Sequence, residues 1–453
     1  MTTSAEPIST IHRPLTYKRI FIYFLPLAAS WLLMGVEWPF VTGAMARLSE
    51  AARMIAAFGI VSSICLVIES VVISLLSTST ALSKDRQSYC ILRKFTLHLM
   101  IATTLIHILV AFTPLYDLIV VDLIGIPESL YDPTRSGLQI MIFWSAAIAW
   151  RRFMQGILIR QGLTHYVGIG TIVRLSGSVT TAVTLALLTD LPGITVGSFA
   201  LEVAVLSEAA FAHIVARKTI AEKFSPDSSP PQGEALTYMQ LLQFHWPLAA
   251  SNLIFLAAQP LVSAALARGL HPEDDLAAWP VLSGLFFLTR SPAVALPEVV
   301  IALHDEKCSE KPLFNFTLLT GFVLVVLMVI IGFTPLSNIY FQTLIGLAPD
   351  LSSIATSGVR FAVVLPLVTA VLSYLRGILT ARKKTLPITL AMVVELIAMA
   401  ALLTAGVALK IPGIPLAAST LSIAMGADAL YLFFDSRKTR NQPVRLSSPI
   451  DST

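Results

Sequence analysis

Pro26-Leu27-Ala28-Ala29-Ser30 recurs in the second half of the chain as Pro247-Leu248-Ala249-Ala250-Ser251. The offset is 221 positions, and it is kept far beyond this pentapeptide. Pro39 meets Pro260 and Arg47 meets Arg268; Phe112-Thr113-Pro114-Leu115 meets Phe333-Thr334-Pro335-Leu336; Leu123-Ile124-Gly125 meets Leu344-Ile345-Gly346. Ser136-Gly137 meets Ser357-Gly358, and Gly156-Ile157-Leu158 meets Gly377-Ile378-Leu379. One residue is dropped before Pro192-Gly193-Ile194 meets Pro412-Gly413-Ile414. A register held this long makes the chain a direct duplication of one unit.

Each copy is built from apolar segments. Of 453 residues, 55% are hydrophobic and only 13% charged, with a mean hydropathy of +0.78, whereas an ordinary soluble domain has about a quarter of its residues charged. Twelve segments long enough to cross a hydrocarbon core of about 30 Å fall near 20–46, 52–81, 94–120, 137–160, 166–189, 192–216, 240–267, 276–303, 312–336, 357–381, 386–409 and 412–434. The expected fold is therefore all-α: a polytopic membrane protein of 12 transmembrane helices in two six-helix lobes. An even number of helices per copy inserts both halves the same way round, related by a pseudo-two-fold axis along the membrane normal. The expected divisions are an N-terminal arm (1–19), an N-lobe (20–217), a linker (218–239) rich in Pro and Ser, a C-lobe (240–434) and a tail (435–453). Residues 1–19 read as a polar lead into a retained first helix rather than a removable signal.

Charge in the loops sets the orientation. Arg13, Lys18 and Arg19 precede the first segment; Lys84, Arg86, Arg93 and Lys94 follow the second; Arg217, Lys218 and Lys223 follow the sixth. Arg382, Lys383 and Lys384 follow the tenth, and Arg437, Lys438, Arg440 and Arg445 close the chain. The alternate loops carry Asp117, Asp122, Glu128 and Asp132, or Glu273, Asp274 and Asp275. The positive-inside rule then places both termini in the cytoplasm of a cell (inner or plasma) membrane. Cys65, Cys90 and Cys308 show neither metal-ligand spacing nor a disulfide framework.

Several short pieces carry a family resemblance. They are Phe24-Leu25-Pro26-Leu27, Phe244-His245-Trp246-Pro247-Leu248-Ala249, Gly156-Ile157-Leu158 before a basic loop, Lys383-Lys384-Thr385, and Pro292 with Leu296 and Glu298. In this order, over nearly the whole chain, they resemble the progressive ankylosis (ANKH) family, with this sequence a bacterial-type member. The resemblance implies a MATE-like fold of the MOP superfamily, two lobes in a V around a central cavity. It also implies export of a polyvalent anion, with pyrophosphate, ATP and citrate or malate the substrates attributed to the family. The sequence departs from animal members in lacking a long charged C-terminal tail and in much of its intramembrane polar detail.

Ionisable residues inside spans are costly and therefore candidates for function. In the repeat Glu69 corresponds to Arg290, Arg174 to Glu395, Gln155 to Arg376 and Glu208 to Asp428. Glu69 and Arg290 are expected to approach each other across the cleft as an ion pair that substrate or a proton breaks. The alternative is that each charge pairs within its own lobe and fixes helix packing. Arg152 and Gln155, with Arg151 beside them, form a stripe matching Thr369, Ser373, Arg376 and Thr380. Guanidinium forks suit phosphate and carboxylate, so Arg290, Arg376, Arg152, Arg151, Gln155 and Glu69 are the substrate-binding candidates. Arg376 and Arg152 could instead reach the cytoplasmic headgroups. Glu37, Glu298, Glu395, Asp428, Glu208 and Arg174 are the coupling or gating candidates; Glu37 adjoins the helix-bending Pro39. His245 reads as a packed residue near a helix start.

No phosphate loop, His-Glu-x-x-His or Gly-x-Ser-x-Gly motif occurs, so neither an enzyme nor a cofactor is expected. The sequence points to a secondary-active, alternating-access transporter whose partners are a small anionic substrate and the lipid bilayer, with no nucleic acid, acting as a monomer. A MATE-like cation/proton antiporter and a lipid-linked oligosaccharide flippase are the rival readings.

Overall fold

The computed structural model describes residues 15–163, 165–225, 236–304, 310–382, 384 and 386–440. Arg13, residues 226–235 of the Pro/Ser-rich linker, Cys308, Lys383, Thr385 and Arg445 lie outside the described residues. The described residues form twelve long helical units: α1 (Tyr17–Met45), α2 (Ala51–Leu82), α3 (Arg86–Phe112), α4 (Tyr131–Ile140 and Trp144–Arg160), α5 (His165–Leu188), α6 (Gly193–Lys223), α7 (Tyr238–Ala267), α8 (Pro272–Leu303), α9 (Glu310–Phe333), α10 (Pro349–Phe361 and Leu365–Ala381), α11 (Leu386–Ala408) and α12 (Gly413–Arg440). Among the described residues ten are individually long and apolar enough to cross a membrane, and the two pieces of α10, bent by 48°, make an eleventh crossing. The twelfth, α4, carries Arg135, Arg151 and Arg152 in its two pieces. We call the side bearing the termini proximal and the other side distal.

The duplication extends to the irregularities. α2 breaks at Ser74 and α8 at Ala295; α4 breaks at Met141–Phe143 and α10 at Ala362–Val364. Sequence hydropathy carries the third segment to 120, but α3 stops at Phe112, because Pro114 has no N–H to continue a helix. A π-helical stretch, Asp117–Ile124, follows, ending on Gly125 with φ +80°; its counterpart Ile339–Ile345 ends on Gly346 with φ +89°. Both sites need the left-handed backbone that glycine adopts without strain.

The lobes exchange contacts symmetrically. Gly59 of α2 and its equivalent Pro280 of α8 touch each other, and a Cβ on Gly59 would lie 2.3 Å from the proline ring. The pseudo-axis therefore passes between them. Trp38 of α1 donates to the Pro280 carbonyl at 2.8 Å. Towards the proximal side Phe24 of α1 packs edge-on against Phe316 of α9, while His245 of α7, its equivalent, packs edge-on against Phe95 of α3. His245 is buried, as expected; its Nε2 donates to the Val71 carbonyl at 2.9 Å, leaving Nδ1 to accept from the Thr78 hydroxyl at 3.0 Å. Exposed Leu, Ile, Val and Phe side chains cover the outer faces of α3, α9 and the other peripheral helices, as a lipid-facing surface requires.

Candidate functional site

Two reciprocal arginine contacts close the distal side. Arg47, at the end of α1, donates through Nη1 to the Ile345 carbonyl at 2.9 Å and through Nη2 to those of Leu344 at 2.9 Å and Thr343 at 3.3 Å. Arg268, its equivalent at the end of α7, donates to the carbonyls of Ile124, Leu123 and Asp122. Each guanidinium thus caps the last carbonyls of the other lobe's π-helical stretch, where orphan acceptors and the negative end of the helix dipole favour a cation. Glycine at 125 and 346 also lets the arginine approach: a Cβ on Gly125 would lie 3.2 Å from Arg268 Cζ.

At mid-depth in the N-lobe Glu37, Glu69, Arg151, Arg174 and Glu208 form one network. Arg174 of α5 binds Glu37 of α1 through Nε (2.9 and 3.1 Å) and Nη2 (2.8 Å). Its Nη1 lies 4.0 Å from Glu208 of α6. Glu208 accepts from Arg151 Nη1 at 2.6 Å and from Gln155 Nε2 at 3.0 Å. The Trp144 ring lies under the Arg174 guanidinium at 5.7 Å, and the Trp144 indole N–H donates to Glu69 of α2. The stripe on α4 is thus Arg151 with Gln155, four residues apart, rather than Arg152 with Gln155.

The C-lobe repeats the plan with fewer members. Arg376 of α10, equivalent to Gln155, bonds Asp428 of α12, equivalent to Glu208. Glu395 of α11 lies 3.6 Å from the same guanidinium. In both lobes a carboxylate on the last helix is held by the same position of the fourth helix; only the third member changes sign, Arg174 against Glu395.

The expected Glu69–Arg290 pair is not formed. Glu69 is held inside the N-lobe by Trp144. Among the described residues Arg290 of α8 meets the Met425 sulfur, 3.5 Å from Nη1, its Nε is buried without a partner, and it forms no salt bridge. Glu395 is within electrostatic reach of it. Arg152 is likewise part-buried, its Nε without a partner among the described residues. Glu298 is exposed and joined to neither network, and Thr369, expected to face the cavity, is buried and donates to the Leu365 carbonyl. Trp144 and Met425 were missed by sequence reasoning. An indole N–H inside a span is itself a signal, since it needs an acceptor; Met425 gives none.

Two six-helix lobes joined on a pseudo-axis, with charged networks inside each lobe, make a fold similar to that of several solved membrane transporters. An inward-facing multidrug resistance MATE family transporter aligns with a TM-score of 0.70 at 12% identity, covering 92% of this chain and 97% of its own. The lipid II flippase MurJ in an inward closed conformation aligns at 0.71 and 14%, covering 91% and 87%. A MOP superfamily transporter from Pyrococcus furiosus, described as having a binding pocket of reverse polarity, aligns at 0.60 and 14%, covering 97% and 98%. The sequence profile described as "Progressive ankylosis protein (ANKH)" matches residues 12–299, more than half of the chain, which therefore belongs to the ANKH family. No curated protein matches it in sequence.

Proposed function

We propose that this chain is a secondary-active transporter that exports a polyvalent anion by alternating access. The observation that carries this reading is an imbalance in pairing. Within the two networks every carboxylate is engaged, Glu37, Glu208, Glu395 and Asp428 by arginine and Glu69 by Trp144. Among the described residues two guanidiniums, Arg152 in the N-lobe and Arg290 in the C-lobe, have no carboxylate within salt-bridge distance. A guanidinium at this depth is costly without a counter-ion, and a phosphate or carboxylate offers its planar fork two parallel acceptors. One such arginine in each lobe can hold an anion with several charged groups, of the kind of pyrophosphate, ATP or citrate, and bias the lobes as they move.

The same pairing argues against an organic cation bound to either network, because Glu37 and Glu69 are both engaged. The loop charges support an orientation with the termini cytoplasmic in the cell membrane and the distal side outside. The Arg47 and Arg268 contacts then hold the outside closed, a loading state for export. The chain is proposed to act as a monomer in the bilayer, drawing on an existing gradient. Proteoliposomes loaded with labelled pyrophosphate or citrate test the reading: efflux is expected from the wild type and at least tenfold less from Arg152→Gln/Arg290→Gln. Efflux of an ethidium-like cation alone, or unchanged anion flux in the double variant, overturns it.

A further inference from the structure

Glu202 of α6 belongs to none of these networks. Its side chain is 5% exposed, and both carboxyl oxygens are buried with no hydrogen-bond partner among the described residues. Its repeat equivalent is Ser422, which simply donates to the Ala418 carbonyl at 3.2 Å, so helix packing at this position does not require a carboxyl group.

The surroundings of Glu202 are polar without being charged. α2 and α6 run side by side: an added Cβ on Gly193 would meet Met54 at 3.1 Å, and one on Gly197 would meet Phe58 at 3.2 Å. That register brings Ser62 and Cys65 of α2 to the level of Glu202, and the buried Cys65 is within electrostatic reach of both Glu202 and Glu69. Ser198, one turn earlier on the same face of α6, and Ser62 are buried with hydroxyls that have no hydrogen-bond partner among the described residues.

The mid-span titratable groups on the helices packed against α6 are Glu37 of α1, Cys65 and Glu69 of α2, Arg151 and Arg152 of α4, and Arg174 of α5; Glu208 is on α6 itself. The formal charges of three carboxylates and three guanidiniums cancel there, although Arg152 is bonded to none of the carboxylates. Among the described residues no arginine forms a salt bridge to Glu202. An ionised carboxylate with no bonded donor is heavily penalised in a low-dielectric interior, so the neutral acid is the stable form.

We propose that Glu202 is a proton-binding site of the N-lobe, protonated in the state described, whose deprotonation weakens binding of the transported anion. Release of the proton leaves a carboxylate, adds one negative charge to a balanced lobe, and opposes an anion held by Arg152. By linkage, anion binding and protonation then favour each other to the same extent. The second half of this proposal rests on the anion reading, whereas the protonation of Glu202 does not.

Two measurements separate them. Infrared difference spectra of wild type and Glu202→Gln in lipid at neutral pH test the proton. The wild type is expected to show a protonated-carboxyl C=O band that the variant lacks; identical spectra overturn the proposal. Pyrophosphate affinity, followed by thermal shift as pH rises, tests the coupling. The wild-type affinity is expected to fall by up to tenfold per pH unit as Glu202 titrates, and the Glu202→Gln affinity to stay flat and high. Matching pH profiles in the two proteins overturn the coupling. A sodium dependence lost in the variant overturns a proton as the ligand. Absence of pyrophosphate and citrate binding in the wild type sinks the anion reading and the coupling with it, while the infrared band still decides the protonation.

Discussion

Replacing both Arg47 and Arg268 with alanine should open the distal side. Each guanidinium donates to three carbonyls of the opposite lobe. A buried hydrogen bond to a charged group contributes about 1.5–3 kcal/mol, but these side chains are exposed and screening reduces the value. Taking about 1–2 kcal/mol for each arginine as a unit, the double variant loses about 2–4 kcal/mol of closure, a shift of roughly 30-fold to 700-fold in the opening equilibrium. Spin labels at Leu191 and Ile411, in the equivalent distal turns of the two lobes, report the opening through pulsed dipolar distances in a background without native cysteines. A longer-distance population should grow in the double variant, with each single variant contributing a comparable share on the logarithmic scale. Arg→Lys at both sites keeps the charge without the fork and should recover only part. An unchanged distance distribution in the double alanine variant would show that the closure rests on packing around Gly59 and Pro280 instead.

Other perturbations have equally definite outcomes. Arg174→Met removes the bonded partner of buried Glu37 and should lower stability by about 3–5 kcal/mol, seen as a lower Tm; adding Glu37→Gln should restore much of it, and no restoration would mean the pair is not the source. Gly59→Leu puts side-chain atoms into space held by Pro280 and should cost about 1–3 kcal/mol through overpacking; a wild-type Tm would contradict the close approach on the axis. His245→Phe keeps the edge contact with Phe95, as Phe24 does against Phe316, but leaves the Thr78 hydroxyl and Val71 carbonyl unpaired. It should cost about 1–3 kcal/mol, measurable by thermal unfolding, and His245→Ala should cost more.

Much of the fold could be read in the sequence because duplication and hydropathy are properties of the chain alone. Pro26 and Pro247 fixed the register, and the same offset locates the helix breaks at Ser74 and Ala295. The pairing of charges was less legible, since it depends on helix rotation and tilt. Glu69 and Arg290 are equivalent by repeat, yet equivalence says only that both occupy the same place in their lobes. Whether they meet depends on how close that place lies to the pseudo-axis, where Gly59 and Pro280 do meet. On α4 the choice between Arg151 and Arg152 as the neighbour of Gln155 is a rotation of about 100°, settled by where α6 presents Glu208. Glu202 lay inside a predicted span, and its replacement by Ser422 in the second copy was the available sign that it serves something other than packing.

The most direct test of the central claim is equilibrium binding of pyrophosphate and citrate to purified protein in lipid, comparing the wild type with Arg152→Gln, Arg290→Gln and the double variant. The wild type should bind a polyvalent anion, each single change should weaken binding by about tenfold or more, and the double change should abolish it without unfolding the protein. Equal affinity in all four proteins would contradict the claim that the two unpaired arginines hold the substrate.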